Sequence, residues 1–159
     1  MYYDYAGLSS DHWGEITLAD GAAADNGIIL RASADAFFVF FTLDSDTTNV
    51  RYYDGTAYQT IGGCALGGVA TNDVLRFECA GTSPTSLRVF KNNVQKGSTL
   101  TTSSGPASGG MPGVFCYSTG TNYVFQFQMG DFSAPFTLPP GAATGDRNNI
   151  PAQLRRLVA

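Results

Sequence analysis

Val74-Leu75-Arg76-Phe77-Glu78-Cys79-Ala80 puts Leu75, Phe77 and Cys79 on one side of an extended chain and Arg76 and Glu78 on the other. A period of two is the mark of a strand half-buried in a sheet. The same alternation appears over 13–18 and, more weakly, over 27–31, and strand-like runs recur at 50–53, 57–61, 87–91, 94–100, 114–117 and 123–129. In the last of these Tyr123, Phe125, Phe127 and Met129 share a face opposite Val124, Gln126 and Gln128. Residues 36–43 are nearly all apolar, as expected of a central strand buried on both faces. Turn chemistry separates the runs. Asp54-Gly55 predicts a hairpin between 50–53 and 57–61, because glycine accepts a positive φ, and Asn92-Asn93 predicts the next tight turn. Residues 43–49 read as a turn and 62–71 as a glycine-rich connection. No helical periodicity appears before residue 148. Short strands at this spacing indicate an all-β, two-sheet antiparallel sandwich or jelly roll.

Composition supports that reading and removes others. The chain has 159 residues, which suits one domain. Hydrophobic residues make up 43% and aromatics 13%, enough for a substantial core and too apolar for a disordered chain. Charged residues reach only 14%, against about 25% in an average soluble domain, which excludes a helical bundle or coiled coil. A net charge of -4 argues against a nucleic-acid groove. The longest apolar run, 36–41, is far short of the roughly 20 residues that span a bilayer. Cys64, Cys79 and Cys116 cannot all pair with one another; they have no C-x-x-C spacing and read as buried free thiols. The start, Met1-Tyr2-Tyr3-Asp4, lacks the basic and apolar regions of a signal peptide, so synthesis in a reducing cytoplasm is the expectation.

The end of the chain has a different character. Pro139-Pro140-Gly141 breaks regular structure, and 149–158 follows as a short amphipathic helix capped by Asn149. Ile150, Leu154, Leu157 and Val158 fall on one helical face, with Arg155 and Arg156 beside them. Residues 1–136 carry six Lys/Arg and twelve Asp/Glu, whereas 137–159 carry three Arg and one Asp. The division expected is an acidic sandwich, 1–136, and a basic arm, 137–159. Ten residues are too few for a stable isolated helix, so these six side chains are the candidate partner-binding surface.

The run Asn72-Asp73-Val74-Leu75-Arg76-Phe77-Glu78-Cys79-Ala80-Gly81-Thr82 carries a family likeness, as do Ser86-Leu87-Arg88-Val89-Phe90-Lys91-Asn92-Asn93 and Ser108-Gly109-Gly110-Met111-Pro112-Gly113-Val114. Together these segments resemble the concanavalin A-like (laminin-G-like) lectin/glucanase sandwich modules of bacterial and phage surface proteins. In those modules a strand ending in Gly-Thr leads to a hairpin and then to a Ser-Gly-x-Pro-Gly turn. Asn93 stands where the hairpin glycine is usual, and asparagine tolerates that left-handed position. The likeness covers about residues 9–131 and implies the concanavalin A-like sandwich.

Function is weighed against that background. The glucanase form needs paired carboxylates on one strand, about 5–5.5 Å apart. The chain has two glutamates, Glu15 and Glu78, on different strands, and its one histidine, His12, lies outside any catalytic motif, so no enzyme activity is expected. Sugar binding would use aromatic platforms with planar polar neighbours. Trp13, Tyr52 and Tyr53, with Arg31 and Arg51, are the candidates, and Tyr2, Tyr3, Tyr5 and Tyr58 are further aromatics; Trp13 also reads as a core filler, and the strand arginines Arg31, Arg51, Arg76 and Arg88 suit acidic sugars or cross-strand pairing with Asp or Glu. The laminin-G likeness implies a calcium site at a loop rim. Asp44 and Asp46 are its candidate ligands, but their spacing misses the EF-hand pattern and no cofactor is expected. A fold usual outside cells, with no leader and with unpaired thiols, suits a virion. The leading expectation is a non-catalytic phage surface protein, a capsid decoration or tail-associated adhesin, held to virion subunits or sister copies by its arm. The alternative is a carbohydrate-binding, lectin-like module of a bacterial surface or secreted protein, meeting a cell-surface glycan.

Overall fold

A computed structural model describes residues 9–19, 26–33, 35–41, 47–116 and 124–132. In chain order the strands are β1 (His12–Leu18), β2 (Asn26–Ala32), β3 (Phe37–Phe41), β4 (Thr47–Tyr53), β5 (Tyr58–Ala65), β6 (Val74–Ala80), β7 (Thr85–Lys91), β8 (Val94–Thr102), β9 (Met111–Cys116) and β10 (Val124–Asp131). They form two five-stranded antiparallel sheets, ordered β10-β1-β6-β7-β8 and β5-β4-β3-β2-β9. The chain is a β-sandwich. The arm expected at 137–159, with Ile150, Leu154, Arg155, Arg156, Leu157 and Val158, lies outside the described residues, as do Asp44 and Asp46.

Period-two patterning builds the interior. Ile16, Leu18, Leu75, Phe77, Cys79, Leu87 and Val89 of the first sheet meet Ile28, Leu30, Phe38, Phe40, Val50, Cys64 and Leu66 of the second sheet and the turn after it. Phe40 and Phe77 touch across the gap with ring centroids 5.9 Å apart. Each large apolar side chain buried this way contributes about 1.5–3 kcal/mol. The central position of β3 explains its apolar run: Phe38 and Phe40 enter the main core, while Phe37 and Val39 join Ile29, Ala32 and Tyr53 in a second cluster on the sheet's other face. Cys64 and Cys79 are buried free thiols, and burial pushes Cys64 up to about 11. Both hairpins form where turn residues place them, with Gly55 at φ 91° and with Asn92 and Asn93 both at positive φ, 51° and 65°.

Several strand boundaries differ from the sequence reading, two of them inside segments read as turn or connection. Thr47–Asn49 belong to β4, and residues 62–65 continue β5 where glycines suggested a loop. Packing explains the second case. A Cβ on Gly62 would sit 2.7 Å from Leu100 of β8, so glycine lets the edges of the two sheets close over each other.

Arg31 requires the largest correction. Expected to meet a ligand, it is fully buried, because a register shift between Ile29 and Ala32 and a φ of 51° turn its side chain inward. Its guanidinium donates to the carbonyl oxygens of Ser10 (2.8 Å), Gly81 (2.6 Å), Pro106 (3.2 Å) and Ala107 (3.1 Å) and to Thr85 Oγ1 (3.0 Å). The Asp11 carboxylate lies 3.7 Å away and the Phe38 ring 5.9 Å below. The Arg31 amide donates to His12 Nε2 at 3.1 Å, so His12 carries its proton on Nδ1 and donates it to Ser9 O at 2.9 Å. Burial, with the Arg31 charge, holds His12 below its ordinary 6.5, against the pull of the Ser9 carbonyl, Asp131 and Asp11. His12 is therefore a neutral, structural imidazole.

Replacing the fork by one ammonium strands several buried carbonyls. Arg31→Lys should lower the unfolding free energy by about 3 kcal/mol, against less than about 1 kcal/mol for Arg51→Lys, in urea denaturation followed by circular dichroism. His12 adds a pH dependence of defined sign. The unfolded chain protonates His12 more readily than the folded chain does, so its contribution is complete above about pH 6.5 and is lost as pH falls toward the lower folded-state value. Stability curves from about pH 7 to about pH 5 should slope downward, and less steeply in His12→Gln.

Candidate functional site

Strand β1 alternates cleanly. His12, Gly14, Ile16 and Leu18 are buried, so Trp13, Glu15 and Thr17 stand on the outer face of the first sheet. Register then assembles neighbours from three other strands. Trp13 lies opposite Gly130 of β10 and Glu78 of β6, and Glu78 lies opposite Arg88 of β7. One row along, Glu15 lies between Gln128 and Arg76, and Arg76 is opposite Phe90. The rows Gly130-Trp13-Glu78-Arg88 and Gln128-Glu15-Arg76-Phe90 run across the solvent side of the sheet.

Glycine fixes the tryptophan. A Cβ at position 130 would come within 2.6 Å of Trp13 Cζ2 and 2.8 Å of its Nε1, so the indole lies directly over Gly130. It is half-buried.

Charge fixes the remainder. Arg76 Nε stands 3.0 Å from Glu78 Oε1, and an Arg88 terminal nitrogen 2.8 Å from Oε2. Glu78 is only 5% exposed, so this carboxylate lies under the two arginines that pair with it. Both approaches are charge contacts off the hydrogen-bonding direction, leaving Arg76 Nε and Glu78 Oε2 with no hydrogen bond. The guanidiniums also cover aromatic rings. Arg76 lies 4.6 Å from the Phe90 centroid, and Arg88 lies 5.8 Å from Phe90 and 5.9 Å from Phe132, which is itself 41% exposed. Glu15, half-buried, is raised above 4.5 by desolvation, with the Arg76 charge pulling the other way.

The other expected ligand residues do not gather here. Tyr52 points inward and packs on the main core, while its neighbours Arg51 and Tyr53 occupy the opposite face of the second sheet. Arg31 is inside the fold, and Tyr2, Tyr3 and Tyr5 lie outside the described residues. Trp13 alone of the five stands on the first sheet's outer face. Phe90, Phe132, Gln126, Gln128 and Gly130 were not singled out as site residues. Phe90, Gln126 and Gln128 carry a signal in the alternation of 87–91 and 123–129, Gly130 and Phe132 lie beyond those runs, and only the strand order shows which other residues they join. Among the described residues no group of three His, Cys, Asp or Glu side chains could hold a metal.

No protein-family model matches the chain, and no curated protein matches it. A solved structure, the carbohydrate-binding module CBM66 from Bacillus subtilis, superposes with a TM-score of 0.56 and 14% identity over 73% of this chain and 71% of that one. What the two share is the β-sandwich fold.

Trp13 is the sole tryptophan, so fluorescence reports this site alone. Gly130→Ala should lift the indole off the sheet, shifting its emission to the red while far-ultraviolet circular dichroism stays unchanged.

Proposed function

We propose that the protein is a non-catalytic carbohydrate-binding module, lectin-like in its sandwich, whose ligand lies on the outer face of the first sheet. The observation that carries this is the Trp13 indole laid over Gly130 beside the Arg76–Glu78–Arg88 lattice. A sugar ring has an apolar face of C–H groups and a rim of hydroxyls. A flat aromatic ring suits the face, and rigid planar groups such as guanidinium, carboxylate and carboxamide suit the rim. Glu78 holds both arginines in place, so little side-chain freedom is lost on binding.

Charge defines the class of sugar. Arg76 and Arg88 are matched by Glu78 and Glu15, and both arginines are already paired with Glu78. A uronate or sulfate would have to displace Glu78, leaving a desolvated carboxylate unpaired. Neutral glycans meet no such penalty. The same enclosure supports a non-catalytic role: Glu15 and Glu78 share one face across β1 and β6, but Glu78 is covered and doubly paired, out of reach as a nucleophile. The fold of a carbohydrate-binding module supports this reading, and an extracellular or cell-surface setting goes with it. The virion expectation combines a sandwich fold, unpaired thiols and an anchoring arm; the arm, 137–159, lies outside the described residues, and the likeness to a carbohydrate-binding module supports glycan recognition better.

A panel of soluble neutral polysaccharides (glucan, mannan, xylan and fructan) tests the proposal by affinity gel electrophoresis, with polygalacturonate as the acidic comparison. At least one neutral polymer should retard the protein and polygalacturonate should not. Trp13→Ala should weaken binding at this face by about thirtyfold, the effect of losing a central aromatic anchor worth ~2 kcal/mol. Absence of retardation on every neutral polymer rejects the reading.

A further inference from the structure

The opposite sheet carries a second aromatic group. Phe37 and Tyr53, paired across β3 and β4, stack with centroids 5.3 Å apart. Tyr58, paired with Tyr53 across the β4–β5 hairpin, lies 5.2 Å from the Tyr53 ring and meets Phe37 edge-on at 6.1 Å. Phe37 is buried and forms the floor, and Tyr58 is 43% exposed. The hairpin tip beneath them is braced. Asp54 accepts from the amides of Thr56 (2.9 Å) and Ala57 (2.8 Å) and from Gln59 Nε2 (3.3 Å), while the Tyr53 hydroxyl donates to Gly55 O at 3.0 Å. A Cβ on Gly55 would lie 3.0 Å from Asp35 O, so the tip also seats against the loop before β3.

We propose that Tyr53 and Tyr58 form a second glycan platform, so that one module holds two neutral polysaccharide chains and cross-links them. This inference rests on the carbohydrate reading of the first sheet. Two features favour a sugar here. Among the described residues the aromatic surface here is the exposed Tyr58 ring and the half-buried Tyr53 ring, a pair that matches one or two sugar rings better than the roughly 800 Å² that a specific protein partner covers. Tyrosine supplies a rigid ring with few torsions to freeze, and the Asp54 carboxylate at the adjoining hairpin tip supplies acceptor oxygens for hydroxyls. The two platforms face away from each other across sheets about 10 Å apart, so one sugar unit cannot occupy both.

The test uses the full chain with whichever neutral polysaccharide of the panel retards it, and reads retardation and solution turbidity together. The unsubstituted protein should be retarded and should cloud the polymer solution. Trp13→Ala and Tyr58→Ala should each remain retarded, which also shows that each is folded, while turbidity falls to the polymer-only baseline. The double variant should lose both. Turbidity undiminished in Tyr58→Ala, or retardation abolished outright by Trp13→Ala, overturns the second platform and leaves the first intact. No retardation of the unsubstituted chain overturns both.

Discussion

The buried guanidinium of Arg31 is the constraint on which this end of the molecule depends. Transferring that charge from water costs several kcal/mol unless its donors are satisfied, so the loops must arrive with their carbonyls aimed inward. Four do, from Ser10, Gly81, Pro106 and Ala107, and Thr85 adds its hydroxyl. Gly110 follows from the same knot: a Cβ there would lie 2.4 Å from the Arg31 backbone. Through His12 the knot also sets the phase of β1. The Arg31 amide holds the imidazole inside, and a strand alternates, so Trp13 has to face out. A residue buried at the end of the sandwich thus determines which face carries the indole.

The far side of the site is fastened in a related way. Asp131, at the end of β10, accepts the Ser9 amide at 2.7 Å, and the Phe132 amide donates to Asp11 O at 3.0 Å. Asp11 in turn accepts the Gly81 amide and lies beside Arg31. Gly130 and Phe132, which flank Trp13 and Arg88, are therefore held by the network that holds Arg31. Rigidity around Trp13 and Arg88 has its source several residues away, in the network that holds Arg31.

This arrangement explains what could be read from the sequence. Period-two alternation and one continuous apolar run depend on local chemistry alone, so they located the ten strands, and paired turn residues located the hairpins at Gly55 and Asn92-Asn93. Side-chain direction at irregular points does not follow from alternation. Arg31 sits in a strand-like run, yet a register shift and one positive φ send it inward, and no residue in 27–31 announces either. The site needed still more. Tyr52 and Tyr53 are neighbours in the chain and point to opposite sides of the second sheet, so no single face presents both and neither joins Trp13. The row Gly130-Trp13-Glu78-Arg88 joins four strands drawn from both ends of the chain, and only strand order and register bring them together.

The scarcity of charge now has a physical account. Of the six basic residues before position 137, Arg31 is sealed in the fold, and Arg76 and Arg88 share Glu78. Lys91 binds Asp73 at 2.9 Å and caps the Gly68 carbonyl at 2.7 Å, joining Asn92 in holding the Asp73 carboxyl below its ordinary 3.8 despite the opposing effect of burial. Four of the six are thus engaged in fixing the fold or its outer lattice. On the outer face of the first sheet both arginines are already paired with Glu78, which disfavours an acidic polymer there, and the Trp13 indole lies beside them. Recognition on such a surface favours ligands that combine apolar faces with hydroxyls, because binding them leaves every existing ion pair intact.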